Sequence, residues 1–247
     1  LDYGVKAEMT SGIRSGILQF TYPESDSSFI LLDMNHTLWQ SCPWSNLRVE
    51  NDSTLVGYKL VKGWGPERHV YFTAVFSKPF RDFGIMQDTI PVKYNTNRFR
   101  SSLEAWGKDL RFWMRFPTRQ GEVVTVKTAV SAVSSDGAKL NMQELEGKTF
   151  ASLKAEGEKL WEGQLSKFKI EATPEQRETF YTSVYHAFLH PFIFQDADGK
   201  FRELDKNIGQ AEGFTNYTVF SLWDTYRALH PLFNLVQRDI NADIVNS

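Results

Sequence analysis

The run Phe220-Ser-Leu-Trp-Asp-Thr-Tyr-Arg-Ala-Leu-His-Pro231 brings together side chains that could hold a polar ligand with apolar patches. Phe220 to Leu229 contains no Gly or Pro, and Pro231 follows, so a helix stopped by that proline is expected. At about 100° per residue, Val219, Leu222, Tyr226 and Leu229 share one face and read as a core stripe. Phe220, Trp223, Asp224 and Arg227 recur at i, i+3, i+4 and i+7 on another. Aromatic rings beside a carboxylate and a guanidinium suit a sugar. The ring stacks on C–H faces, and the charged groups take hydroxyls through charge-assisted hydrogen bonds. The plain alternative is an Asp224–Arg227 ion pair with Trp223 as a core anchor.

These residues need elements to hold them. The chain has 247 residues, 41% hydrophobic and 14% aromatic, which is a globular composition. Its formal charge of −2 supplies no basic field for nucleic acid or an anionic membrane. No apolar run approaches the roughly 20 residues of a membrane-spanning helix. Cys42 is the only cysteine, so neither an internal disulfide nor a cysteine metal cluster is expected. The chain starts at Leu1 and stops at Ser247 within an expected helix, so both ends are expected to be cut from something longer. The absence of a signal peptide from this stretch is therefore uninformative.

Residues 1–135 read as a β-sandwich. Short β-rich runs fall at 3–10, 15–22, 28–34, 46–50, 54–62, 68–76, 110–116 and 123–133, with turn residues at Ser11-Gly12, Pro23 and Ser25–Ser27. In two of them the alternation is clear, with Val70, Phe72, Ala74 and Phe76 on one side, and Val124, Val126, Thr128 and Val130 together. So many strands without intervening helices call for two sheets that cover each other.

Residues 136–170 change character. Ala138–Glu146 and Phe150–Phe168 are rich in Lys, Glu, Leu and Ala and read as a helical linker lying across two parts. From 171 the chain reads as helical. Thr173-Pro-Glu-Gln176 is an N-cap, a first-turn proline and a capping box, with the helix running to about Leu189. Two apolar faces on that helix predict burial more than half way round. Asp198-Gly199 marks a tight turn in a hairpin-like loop over 192–202. Two consecutive helices that need neighbours on both sides fit the start of an (α/α) toroid and equally a smaller helical domain.

Gly63–Phe72 with Phe76–Phe80, Thr179–Pro191 through Asp196–Gly199, and above all Phe220–Leu232 resemble glycoside hydrolase family 92, the calcium-dependent, exo-acting, inverting α-mannosidases of bacteria. The likeness covers nearly the whole chain. It implies a β-sandwich, linker helices and then an (α/α)6 barrel. It also implies a terminal mannose pocket lined by Trp223 and Asp224, with Arg227 orienting that Asp. His190, Asp196 and Asn216 would lie near the same mouth, with turn or cap roles as the plainer account. The partner implied is a mannose-containing glycan, of N-glycans or mannans. The location implied is secreted or periplasmic.

The catalytic carboxylate pair and the calcium ligands are expected outside this chain. Asp198, Glu203 and Asp205 are not assigned as catalytic acids, since a turn and an exposed loop account for them. Asp196-x-Asp198-Gly199 lacks the closing Glu of an EF-hand loop, where Asn207 falls. Two other functions stay open. One is a carbohydrate-binding or interaction module using Trp39, Trp44, Trp64, Trp106 or Trp113, most of which flank apolar strands and are expected in a core or interface. The other is a hydrolase or phosphorylase of related toroid architecture acting on another sugar.

Overall fold

A computed structural model describes residues 1, 3–63, 65, 67–87, 90–91 and 104–247. Trp64 therefore lies outside the described residues. The chain divides into two compact units, Leu1–Leu153 and Lys154–Ser247.

The first unit is a sandwich of two antiparallel sheets followed by short helices. In chain order its strands are β1 (Lys6–Ser11), β2 (Ser15–Tyr22), β3 (Ser25–Asp33), β4 (Ser41–Val49), β5 (Thr54–Lys62), β6 (Arg68–Phe76), β7 (Asp82–Gln87), β8 (Ile90–Pro91), β9 (Glu104–Gly107), β10 (Leu110–Thr118) and β11 (Glu122–Ser131). One sheet has the order β1-β2-β11-β6-β5-β4-β9 and the other β3-β10-β7-β8. Leu47, Leu55, Phe76, Val124 and Val126 from the first meet Ile85, Leu110, Phe112, Met114 and Phe116 from the second in one core. Strand β10 alternates without a fault. Its even-numbered residues from Leu110 to Thr118 are buried, and Arg111, Trp113, Arg115 and Pro117 are not. Phe80 closes the core edge, with ring centroids 5.1 Å from Phe76 and 5.2 Å from Phe112.

Several expectations are corrected here. Strands β7, β8 and β9 carried too little alternation to be foreseen. Ser25–Ser27 belongs to β3, not to a turn, because Ser28 turns inward to hydrogen-bond Thr118 at 2.8 Å and extends the β10 pairing. Val70 and Val130, grouped by alternation with Phe76 and Val124, do not share their burial and are 36% and 47% exposed. The other face of β11, β6 and β2 is the one that is covered there. Thr73, Ala129, Ser131 and Ile17 are all buried.

The cover comes from α1 (Ser135–Met142), a 3₁₀ turn (Gln143–Leu145) and the start of α2 (Phe150–Leu165). Ser134 caps α1 by accepting from the Gly137 N–H at 2.9 Å, so Gly137 sits inside the helix instead of breaking it. Asn141 donates to the Val130 carbonyl at 2.8 Å. Ile17, Leu145 and Leu153 form a second small core.

In the second unit, α3 (Pro174–Phe188) begins as expected, with Thr173 accepting from Gln176 N and the Gln176 side chain accepting from Thr173 N. Its burial falls short of the expectation. Val184 alone is fully buried, while Tyr185 is 39% exposed. The end of α2 and α5 (Leu229–Val236) supply its contacts, Trp161 to Tyr185 at 4.6 Å and Phe188 to Phe233 at 5.8 Å.

Asp198-Gly199 does turn, with Gly199 at φ +84°. The hairpin that follows, however, pairs β12 (Lys200–Arg202) with β13 (Ile208–Gln210) and closes around Lys206 at φ +77°. The chain then continues through α4 (Leu222–Thr225), α5 and α6 (Arg238–Asn246). Among the described residues no helix is long and apolar enough to cross a membrane.

Candidate functional site

The expected helix over Phe220–Leu229 is broken in two. Only Leu222–Thr225 is helical before the chain leaves the α region at Ala228 (φ −125°, ψ −50°) and restarts at Leu229. Pro231 does not end a helix; it lies in the first turn of α5. There its missing N–H has no acceptor one turn back to lose, so proline is tolerated.

The break redistributes the faces. The expected core stripe is outside, with Val219 at 56%, Leu222 at 65% and Tyr226 at 55% exposure. Phe220, assigned from its spacing to the ligand-facing side, instead packs among rings. Its centroid lies 4.9 Å from His190, 4.9 Å from His230 and 6.2 Å from Phe233. His190 Nε2 donates to the Val219 carbonyl at 3.1 Å, which anchors the chain on the approach to α4. Thr225 Oγ1 and His230 Nε2 are 2.9 Å apart and span the break. The sequence did not suggest this pairing, because an i,i+5 spacing matches neither a helix nor a strand.

On that platform Trp223 projects into solvent, 87% exposed, and Asp224 beside it is exposed too. Asp224 Oδ atoms have no partner among the described residues, and the Asp224 N–H donates to the Ser221 carbonyl at 3.0 Å. Arg227 is not paired with Asp224. Its Nε donates to the Tyr226 hydroxyl at 2.9 Å, and its guanidinium lies 5.7 Å from that ring's centroid. Both the ion pair of the plainer account and the orienting contact expected for Arg227 are therefore missing from this arrangement. What remains is an exposed indole and an unengaged carboxylate on one short turn, with a guanidinium held three residues beyond the carboxylate.

The neighbouring loop residues have structural work. Asn216 is buried; its Nδ2 donates to the Phe194 carbonyl at 2.8 Å, and its N–H to Gln195 Oε1 at 2.6 Å. Asp196 is buried in the turn, where its carbonyl accepts from the Gly199 N–H at 2.9 Å. Asp198 sits 2.7 Å from Lys200 Nζ. The hydrogen bond from Lys200 holds the Asp198 carboxyl below its usual range. Asp205 accepts from both nitrogens of Asn207, at 2.9 Å and 2.7 Å.

Calcium requires several oxygen ligands converging on one point. Among the described residues no three His, Cys, Asp or Glu side chains gather in that way. With Asp198 engaged by Lys200 and Asp196 folded into its turn, the described residues do not fit a calcium site.

Residues 1–131 match the glycosyl hydrolase family 92 N-terminal domain, and residues 137–247 match the glycosyl hydrolase family 92 catalytic domain. A search of curated proteins gives no match. Among solved structures, a family 92 α-mannosidase from Bacteroides thetaiotaomicron is 70% identical over 100% of this chain and 33% of its own, with a TM-score of 0.95. A structure of that α-mannosidase in complex with mannoimidazole matches with the same TM-score of 0.95. An inverting mannosidase of the family from Bacteroides thetaiotaomicron VPI-5482, at 22% identity, shares the fold with a TM-score of 0.83 over 99% of this chain and 32% of its own. The chain spans about a third of the length of these structures. Since the two family models together take in nearly every residue from Leu1 to Ser247, the chain belongs to glycosyl hydrolase family 92.

Proposed function

We propose that this chain is part of an exo-acting, inverting α-mannosidase that releases terminal mannose from N-glycans or mannans. Family membership across both units supports the reading, as does 70% identity to an α-mannosidase. The observation that carries it is the exposed Trp223–Asp224 pair, an open indole face next to a carboxylate with no partner among the described residues. In the proposed pocket the indole stacks on the C–H face of mannose, and Asp224 accepts hydrogen bonds from adjacent hydroxyls. Arg227, steadied by Tyr226, is the third substrate-binding group.

Inversion needs a carboxylic acid to protonate the leaving oxygen and a carboxylate on the opposite face to activate water, roughly 6.5–9.5 Å apart. We assign neither role within this chain, since Asp198 is engaged by Lys200 and Asp205 by Asn207. Calcium is proposed as cofactor on the family resemblance, with ligands other than the described residues. Bound there, it would supply positive charge to sugar hydroxyls and water. The same reading places residues 136–170 as a linker between a sandwich domain, 1–135, and the first helices of an (α/α)6 barrel from 171. A secreted or periplasmic location follows from a glycan substrate and is checked by cell fractionation.

The test is mannose release by the full-length protein with calcium, then with a chelator, alongside Asp224→Ala. Calcium-dependent release that collapses in Asp224→Ala is expected. No release from any α-mannoside would reject the reading in favour of a binding module or another glycosidase.

A further inference from the structure

The outer face of the four-stranded sheet has an organisation that the mannose pocket does not use. Trp113 occupies the middle of β10, an interior strand, on the side turned away from the sandwich core. Its direct neighbours are Leu31 on β3 and Gly84 on β7. A Cβ at Gly84 would come within 3.1 Å of the indole Cζ2 and Nε1. The ring therefore lies down over β7, in space that any other residue would fill.

Two residues to either side along the strand, charged pairs reach across to opposite neighbours. Arg111 Nε donates to Asp33 Oδ2 on β3 at 3.2 Å. Arg115 Nη1 lies 3.8 Å from Asp82 Oδ2 on β7, with its guanidinium 5.8 Å from the indole centroid. Phe29 and Leu31 complete the apolar surface, each 53% exposed. Ser27, Phe29, Trp113 and Arg115 line a shallow depression of about 450 Å³, within the usual range for small-ligand sites.

The chemistry of the occupant follows from this pattern. The outward face of such a sheet is ordinarily polar, so a flat aromatic and two apolar neighbours at its centre want an apolar partner. The rim offers guanidinium donors and carboxylate acceptors already held in place. Two Arg and two Asp cancel, which gives no attraction for an anionic polymer or lipid. Strand β10 is paired on both sides, so an extended peptide cannot add to it by backbone hydrogen bonds. A pyranose, with an apolar C–H face and a rim of hydroxyls, meets all four conditions.

We propose that this face is a non-catalytic saccharide-binding site for a neutral polysaccharide, with Trp113 as its stacking platform. It is separate from the mannosidase reading and stands or falls on its own assay. The full-length protein is run through native gels containing soluble α-mannan, laminarin or xylan, alongside Trp113→Ala, Arg115→Ala and Asp224→Ala, each checked by circular dichroism.

Retardation by at least one polysaccharide is expected. Trp113→Ala should abolish it, Arg115→Ala should weaken affinity about tenfold, and Asp224→Ala should leave it in place. If Trp113→Ala does not fold, Arg115→Ala, on the surface, carries the test. The proposal is overturned if no gel retards the protein, or if Trp113→Ala and Arg115→Ala migrate as the parent does. It is also overturned if Asp224→Ala alone abolishes retardation, or if Trp113→Ala instead dissolves a concentration-dependent dimer.

Discussion

Glu144 gathers Arg14 from two directions, accepting its backbone N–H at 3.0 Å and its guanidinium at 2.6 Å. The Ser15 hydroxyl donates to the same carboxylate at 3.0 Å. One acidic side chain on a 3₁₀ turn thus satisfies three donors at the β1–β2 corner, beside the small core of Ile17, Leu145 and Leu153. This contact makes the start of the helical segment an integral part of the sandwich unit.

Removing that carboxylate takes one acceptor from the Arg14 N–H, the Arg14 guanidinium and the Ser15 hydroxyl together. Glu144→Ala should cost about 1–3 kcal/mol of the unfolding free energy of the sandwich unit, with Glu144→Gln recovering part of it. Chemical denaturation of the full-length protein measures both. A change of less than about 0.5 kcal/mol for Glu144→Ala would mean the contact is incidental.

Asp224→Ala should lower kcat/KM for an aryl α-mannoside by about 10- to 100-fold, the loss expected for a charge-assisted hydrogen bond to substrate. Arg227 is held by Tyr226 and is separate from Asp224, so Arg227→Ala should act mainly on KM, by severalfold. Equal collapse of kcat in both variants would show that the two residues work as one unit, against this geometry.

Thr173→Ala removes the acceptor for Gln176 N and breaks the reciprocal cap of α3. A loss of about 1 kcal/mol is expected, and Thr173→Ser should restore most of it. Hydrogen exchange of the first-turn amides of α3 would locate the effect, which should not spread to the sandwich amides.

Tyr22 is buried, donates to the Phe29 carbonyl at 3.1 Å, and has its pKa pushed up from 10.0 to about 12 by burial. The folded state therefore keeps a proton that the unfolded chain releases first. Its contribution is fully present below about pH 10 and declines as pH rises towards about 12. Tyr22→Phe should be less stable than the parent by about 1 kcal/mol at neutral pH. That deficit should shrink between pH 10 and 12 in alkaline denaturation. A difference independent of pH would contradict the assignment.

Much of the fold was legible in local pattern. Strand β10 alternates residue by residue, and Thr173-Pro-Glu-Gln176 holds all the chemistry of its cap within four positions. The gaps share a cause. Strand β9, four residues long, is held by pairing with β4, residues remote in the chain. The helical stretch expected from Ala138 begins three residues earlier, at Ser135, because Ser134 captures the Gly137 N–H. Of the tryptophans expected in a core or interface, Trp39, Trp44 and Trp106 are 73%, 45% and 54% exposed and so are not core residues of this chain. Adjacent apolar strands show that a sheet exists but do not show which of its faces is covered.

Side-chain order alone determined the two-part character of this protein, with period-two strands giving way to capped helices, and the co-location of Trp223 and Asp224 in a short stretch. Both are set by spacing along the backbone, so they survive any arrangement of the rest. Tertiary structure decided how that stretch is used. Phe220 can fill a cluster with His190, His230 and Phe233 only if the helix breaks before Leu229. That break turns Arg227 onto Tyr226 and leaves the Trp223 indole and the Asp224 carboxylate facing outward. The energy of packing an aromatic ring among partners distant in sequence exceeds the helix propensity of a few residues, and no local pattern records it.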